Sequence, residues 1–289
     1  DWSKFVTYEP VTDSNFQDAV NLWFDNQAEA NVTYGHISDW NTSAVTNMSN
    51  AFKDRTYFNE DISNWDVSSV ENMNHMFFKA SSFNQPIGDW NVSSVTNMRN
   101  MFNQASTFNQ PISDWNVSSV THFGVMFYRA IAFDQDIGNW EVSSSLNFTS
   151  MFNGAKSFNQ DISVWDINSN ANLSQMFRGA QAFDQDLSNW NVSSDNNMSM
   201  IFQATSSMSE LNKGHMHTAF SSNPNWTTDW SEFVIYEPIT DANFQDAVNL
   251  WFSDEANATA LYGHIRDWNT SAVTNMSNAF KNRTNFNED

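Results

Sequence analysis

The sequence predicts an α/β solenoid: a right-handed stack of 25-residue strand–helix turns with a parallel sheet and helical caps. Three observations predict it. Tryptophans recur at Trp40, Trp65, Trp90, Trp115, Trp140, Trp165 and Trp190, every 25 residues with no insertion. The other apolar columns keep that register, including Ile62, Ile87 and Ile112 before Trp, the pairs Met76-Phe77 and Met101-Phe102, and Phe83, Phe108 and Phe133. A fixed period of this length marks a repeat architecture whose units bury their apolar stripe only by stacking. Finally, residues 1–61 align without gaps to residues 229–289 with 47 of 61 positions identical, so a module of about 228 residues itself recurs.

Residues 1–36 form the N-terminal cap. Its helix is predicted over Asn15–Phe24, capped by Asp13 or Ser14, with Phe16, Ala19, Val20 and Trp23 on one face. Residues 37–204 form seven turns. In the turn that starts at Ile87, Trp90 and Val92 alternate as in a short strand. Ser93 and Ser94 are N-cap residues, and Val95, Met98, Met101, Phe102 and Ala105 follow at helical spacing. Asn109 and Pro111 mark the return loop. The fifth and sixth turns vary: Ser145 and Asn170 stand where Val is usual, and Phe148 and Leu173 replace Met. Residues 205–228 abandon the period and form the C-terminal cap, with His215 where the next Trp would fall. Residues 229–289 start a second copy, cap plus first turn, and the chain reads as a piece of a longer array. The β-forming segment 225–238 is placed as a strand joining one module to the next.

Twelve basic residues face 33 acidic ones, a formal net charge of −21. That excludes nucleic acid, whose binders need a basic face against phosphates, and simple adhesion to anionic lipid. There is no cysteine, hence no disulfide framework or thiol nucleophile. No apolar run reaches the roughly 18 residues of a membrane span. No phosphate loop, nucleophile elbow or metalloprotease helix is present, and near-identical turns offer repeated surfaces rather than one special cleft. The chain is read as not an enzyme.

The columns of FNQPIGDWNVSSVTNMRNMFNQA (83–105) and its neighbours, with AVNLW and YGHISDW before them and NKGHMHTAFSSNPNW after, resemble the BspA-like surface-protein repeat, a leucine-rich-repeat-like family of bacterial, protist and algal surfaces. The resemblance covers nearly the whole chain. It implies an LRR-like stack, a cell-surface or adhesive role and no catalytic residues.

The candidate surface is the ladder between Trp and Val: Asn41, Asp66, Asn91, Asn116, Glu141, Asp166 and Asn191. Its oxygens suit Ca²⁺, the one cofactor left open; the competing reading is that they bond loop backbone and one another. A second column, Asn47, Asn72, Asn97, His122, Asn147, Asn172 and Asn197, is expected to serve buried backbone. His215 and His217 make half a metal site, and His36 and His264 are read as structural. If the source is a secreting eukaryote, the sequons at Asn31, Asn41, Asn91, Asn116, Asn191, Asn225, Asn257 and Asn269 are glycan acceptors. The expectation is an extracellular or cell-surface structural protein, its modules arrayed in tandem as a fibre or stalk. Its partners are then neighbouring copies of the same module. The alternative is an adhesin module whose solenoid face binds a glycan or a host-surface protein.

Overall fold

The computed structural model describes residues 7–283 and 286. They belong to two compact units, Asp1–Asp229 and Trp230–Asp289. The first six residues of the predicted N-terminal cap, and residues 284, 285 and 287–289 of the predicted second copy, lie outside the described residues.

The first unit is a stack of seven 25-residue coils between two helical caps. The predicted strand–helix turn is wrong. Among the described residues no strand forms, and no helix lies between Asp39 and Glu210. The structure is therefore not a parallel-sheet α/β solenoid. The sheet is replaced by single-residue parallel bridges that link Asn47, Asn72, Asn97, His122, Asn147, Asn172 and Asn197 in order.

Each coil is instead a chain of tight turns. In the second coil Trp65 N–H donates to the Ile62 carbonyl (3.1 Å), Val70 to Val67 (2.9 Å), Met76 to Met73 (3.1 Å), Phe78 to His75 (3.1 Å), Ala80 to Phe77 (3.0 Å) and Phe83 to Ala80 (3.1 Å). Between these bonds, alternate N–H groups cross to the following coil: Met73 to the Asn97 carbonyl, His75 to Arg99, Phe77 to Met101 and Lys79 to Asn103, at 2.7–3.0 Å. A helix cannot do this, because all its interior N–H groups point along one axis. The backbone reverses direction by entering the left-handed region twice per coil, for example at His75 (φ 59°) and Lys79 (φ 57°), and at Asn100 (φ 59°) and Gln104 (φ 60°). Each of these is the third residue of its turn, where a type II turn needs positive φ.

The turn corners hold the core. Ile62, Trp65, Val67, Val70, Met73, Met76, Phe77, Ala80 and Phe83 are all buried, and the same columns are buried in coils three to five. Rings pile in register: Phe77 lies 4.0 Å from Phe83 within its coil and 5.4 Å from Phe102 in the next. The sixth coil slips by one residue. Ala171, not Asn170, takes the buried corner, its N–H on the Asn168 carbonyl at 2.9 Å. Ser145 fills the Val position of the fifth coil by donating its hydroxyl to the Thr121 carbonyl at 3.1 Å.

The caps are helical, as expected. Helix α1 (Phe16–Asp25) buries Phe16, Ala19, Val20 and Trp23, and α2 (Gln27–Thr33) follows it. Helix α3 (Glu210–Phe220) closes the far end of the stack. Neither predicted cap residue caps α1: its N-cap position is Asn15, with no side-chain cap bond. In the second unit, α4 (Phe244–Ser253) and α5 (Glu255–Tyr262) repeat α1 and α2. The bridge Thr240–Ala272 likewise repeats Thr12–Ala44. The segment 225–238 forms no strand; Ser231–Phe233 is a single 3₁₀ turn.

Candidate functional site

The exposed ladder is positioned by the turn that follows each Trp. Asn41, Asp66, Asn91, Asn116, Glu141, Asp166 and Asn191 are all exposed. In the first four, the side-chain oxygen accepts both the N–H and the hydroxyl of the Ser two residues on; for Asp66 and Ser68 these distances are 3.0 and 2.6 Å. The same contact occurs at Asn41, Asn91 and Asn116. Ser93, expected as a helix N-cap, and its counterparts Ser43, Ser68 and Ser118 are therefore the donors of an Asx turn. The Ser68 hydroxyl and then its N–H hold the Asp66 carboxyl below its usual range. Glu141 and Asp166, in adjacent coils, line a cavity of about 240 Å³ with Trp140, Val142 and Val164, and Val164 is 75% exposed.

The second column serves the backbone. The side-chain oxygens of Asn47, Asn72, Asn97, Asn147, Asn172 and Asn197 each accept the N–H two residues on, at 3.0 Å. Two further ladders escaped the sequence reading. The Asn or Asp after each final Phe accepts the N–H of its counterpart in the next coil: Asn84 on Asn59, Asn109 on Asn84, Asp134 on Asn109, Asn159 on Asp134 and Asp184 on Asn159, at 2.8–2.9 Å. The recurring Phe-Asn/Asp-Gln triplet was the signal, with the Gln amides donating back across the same joint. From the second coil to the seventh, each indole of the series also donates to the carbonyl 28 residues earlier, as Trp65 does to Ile37 (2.8 Å) and Trp115 to Ile87 (3.1 Å), whereas Trp40 donates to Gly35 (3.0 Å). The tryptophans are thus core and ladder at once.

The ends of the stack differ. At the start, Asp13 replaces a missing coil: its carboxylate accepts Thr46 N–H and hydroxyl, both at 2.7 Å, and Asn47 N–H at 3.2 Å. The Thr46 hydroxyl, foremost, lowers its pKa. Beside it lies an open groove of about 760 Å³ lined by Asp13, Phe16, Gln17, Asn47, Asn50 and Lys53 among others. At the other end, His215 Nδ1 meets Asp186 Oδ2 at 2.7 Å and ties α3 to the sixth coil.

His217 lies edge-on to Trp226. His36 and His264 each bond the N–H two residues on and lie edge-on to Trp23 and Trp251 at 4.9 and 4.7 Å. Among the described residues no three His, Asp or Glu converge on a metal position. No helix there is long and apolar enough to cross a membrane. Of the eight sequon asparagines, Asn41, Asn91, Asn116, Asn191, Asn257 and Asn269 are exposed, and Asn31 and Asn225 are half-buried. The Asn225 amide nitrogen donates to the Ser194 and Asn196 carbonyls, both at 3.2 Å, which opposes a glycan there.

The family described as Mycoplasma protein of unknown function, DUF285, matches residues 18–132, 112–215 and 239–289, and the chain belongs to it. No curated protein matches the chain. Its repeat character is thus established in two separate stretches; its likeness to the BspA-like surface repeats is not.

Proposed function

We propose that this member of the DUF285 family is a non-enzymatic extracellular structural protein whose modules of about 228 residues, set in tandem, build a cell-surface fibre or stalk. The single observation that carries the reading is the recurrence of a whole cap assembly at that offset. The second unit repeats α1 and α2 as α4 and α5. It also repeats the Asp13 contact as Asp241 on Thr274 and Asn275. A protein that copies its end-closing device copies complete modules, and spacers gain from complete modules.

Electron microscopy of a recombinant chain with several modules tests this. Rods with an axial repeat set by the module are expected; beads that swing freely about the 225–238 segment contradict the fibre. One observation favours an adhesin instead. The Glu141–Asp166 cavity, with Val164 exposed, makes one place on the ladder unlike the others. Binding of a glycan array by the chain, lost in Asp166→Ala, would support that reading.

A further inference from the structure

The charges of this acidic chain are sorted around the coil. In the first unit six basic residues fall in one short arc, from Lys53, thirteen residues after Trp40, to Lys156, sixteen after Trp140. Arg55 is committed to the cap, bonded to Asn21 and set over the Phe24 ring at 4.3 Å. Lys53, Lys79, Arg129, Lys156 and Arg178 are exposed, one in each of coils one, two, four, five and six. They share the arc with aromatic rings, Lys53 and Lys79 near Phe78 and Arg129 beside Tyr128. The only acid in the arc is Asp54, which pairs with Lys79 at 3.5 Å.

Carboxylates recur twenty-one residues after Trp in four of the coils, five to eight positions beyond the arc: Asp61, Asp136, Asp161 and Asp186, in coils one, four, five and six. Coils two and three carry Pro86 and Pro111 there. The two rows match coil by coil. Coils one, four and five hold a cation in one row and a free acid in the other; in coil six the acid, Asp186, is already taken by His215 and Ser188. Coil three holds neither, with Gln104 in the arc and Pro111 in the row. Coil two has a cation opposite a proline, and that cation is the one already neutralised by Asp54. Both rows also share one axial step, about 4.8 Å per coil, because the same stacking generates them.

We propose that the basic arc is a docking surface for the carboxylate row of a second copy of this chain, laid side by side and pointing the same way. The inference deepens the fibre reading and rests on it. A second copy carries carboxylates at the same axial step as the arc and lacks them where the arc lacks a free cation, in coils two and three. The acids are oriented for it. Asp61, Asp136 and Asp161 each give one carboxylate oxygen to the N–H two residues on, which fixes the side chain and leaves its other oxygen for a cation. The contact is heterologous, arc on row, so each added copy keeps a free arc or a free row on which a further copy can dock.

Sedimentation of the full chain at low and high salt tests this. Concentration-dependent association is expected at low ionic strength, reversed near 1 M salt, where the screening length falls to about 3 Å. The triple variant Arg129→Glu, Lys156→Glu, Arg178→Glu should weaken it at least about tenfold, several exposed ion pairs each contributing a fraction of a decade. So should Asp136→Asn with Asp161→Asn, which keeps the turn-capping oxygen and removes only the charge. Unchanged melting temperatures would show that both variants fold. A chain that stays monomeric at low salt, or associates equally in both variants, overturns the proposal. So does a monomeric chain that binds heparin through the arc alone, since the arc then serves an anionic glycan. Rods without side-by-side association would leave the fibre standing and remove only this contact.

Discussion

Residues 7–61 and 235–283 carry nearly one sequence into two settings. Their local backbone is the same. Ala51, Lys53 and Arg55 donate to Met48, Asn50 and Phe52 at 3.2, 3.1 and 3.1 Å, and Ala279, Lys281 and Arg283 donate to Met276, Asn278 and Phe280 at the same distances. Asn50 and Asn278 have φ 65° and 66°. Burial differs. Met48 and Phe52 are fully buried beneath the second coil, whereas Met276 is 45% and Phe280 41% exposed. The turn path is therefore written locally, and the core is supplied by the next coil. That is the nearest-neighbour logic of repeat proteins.

The sharpest way to break this comparison is to truncate one ring in both places. Phe52→Ala removes a side chain packed on Phe58 at 3.9 Å and Phe77 at 5.4 Å, and should cost about 3–5 kcal/mol in denaturant titration. Phe280→Ala, at the matching position, should cost about 1–2 kcal/mol. Equal losses would mean the next coil contributes little.

Closing the first coil's edge should matter less. Asp13→Ala leaves Thr46 and Asn47 N–H without their acceptor and should cost about 1 kcal/mol. Its pKa is lowered in the folded state. Its contribution is therefore complete above the unfolded carboxylate pKa and fades as pH falls through the folded value. Asp13→Asn should remove that acid-side slope from the pH dependence of melting while keeping one acceptor.

The smallest effect concerns backbone strain. Val125 holds φ 63°, where a β-branched residue is strained. Val125→Gly should raise stability by up to about 1 kcal/mol. A loss would show that the side chain's packing outweighs its backbone cost.

Much of this was legible. The 25-residue step, the buried columns, the α1 face of Phe16, Ala19, Val20 and Trp23, and the backbone role of the Asn47 column all follow from register alone. The path between columns was not legible. Val95, Met98, Met101, Phe102 and Ala105 are spaced three or four apart, which a helix and a chain of linked turns share, because both corners of each turn face inward. Glycine would have betrayed the left-handed positions, but most hold Asn, His, Lys, Arg, Gln or Val. Only Gly154 and Gly179 appear there in the stack, late in the series. The Trp-x-Val step suggested a strand because both residues are buried, yet it is a corner between two turns.

The central claim is that each coil is an interchangeable unit held by register, and excision tests it most directly. Removing residues 112–136 joins Pro111 to Ile137 and should leave a chain that melts cooperatively, with Phe102 now stacked on Phe152. Removing only residues 112–124 puts every later column out of register and should abolish cooperative melting. If both deletions unfold the chain, or both leave it intact, the stacked-coil account is wrong.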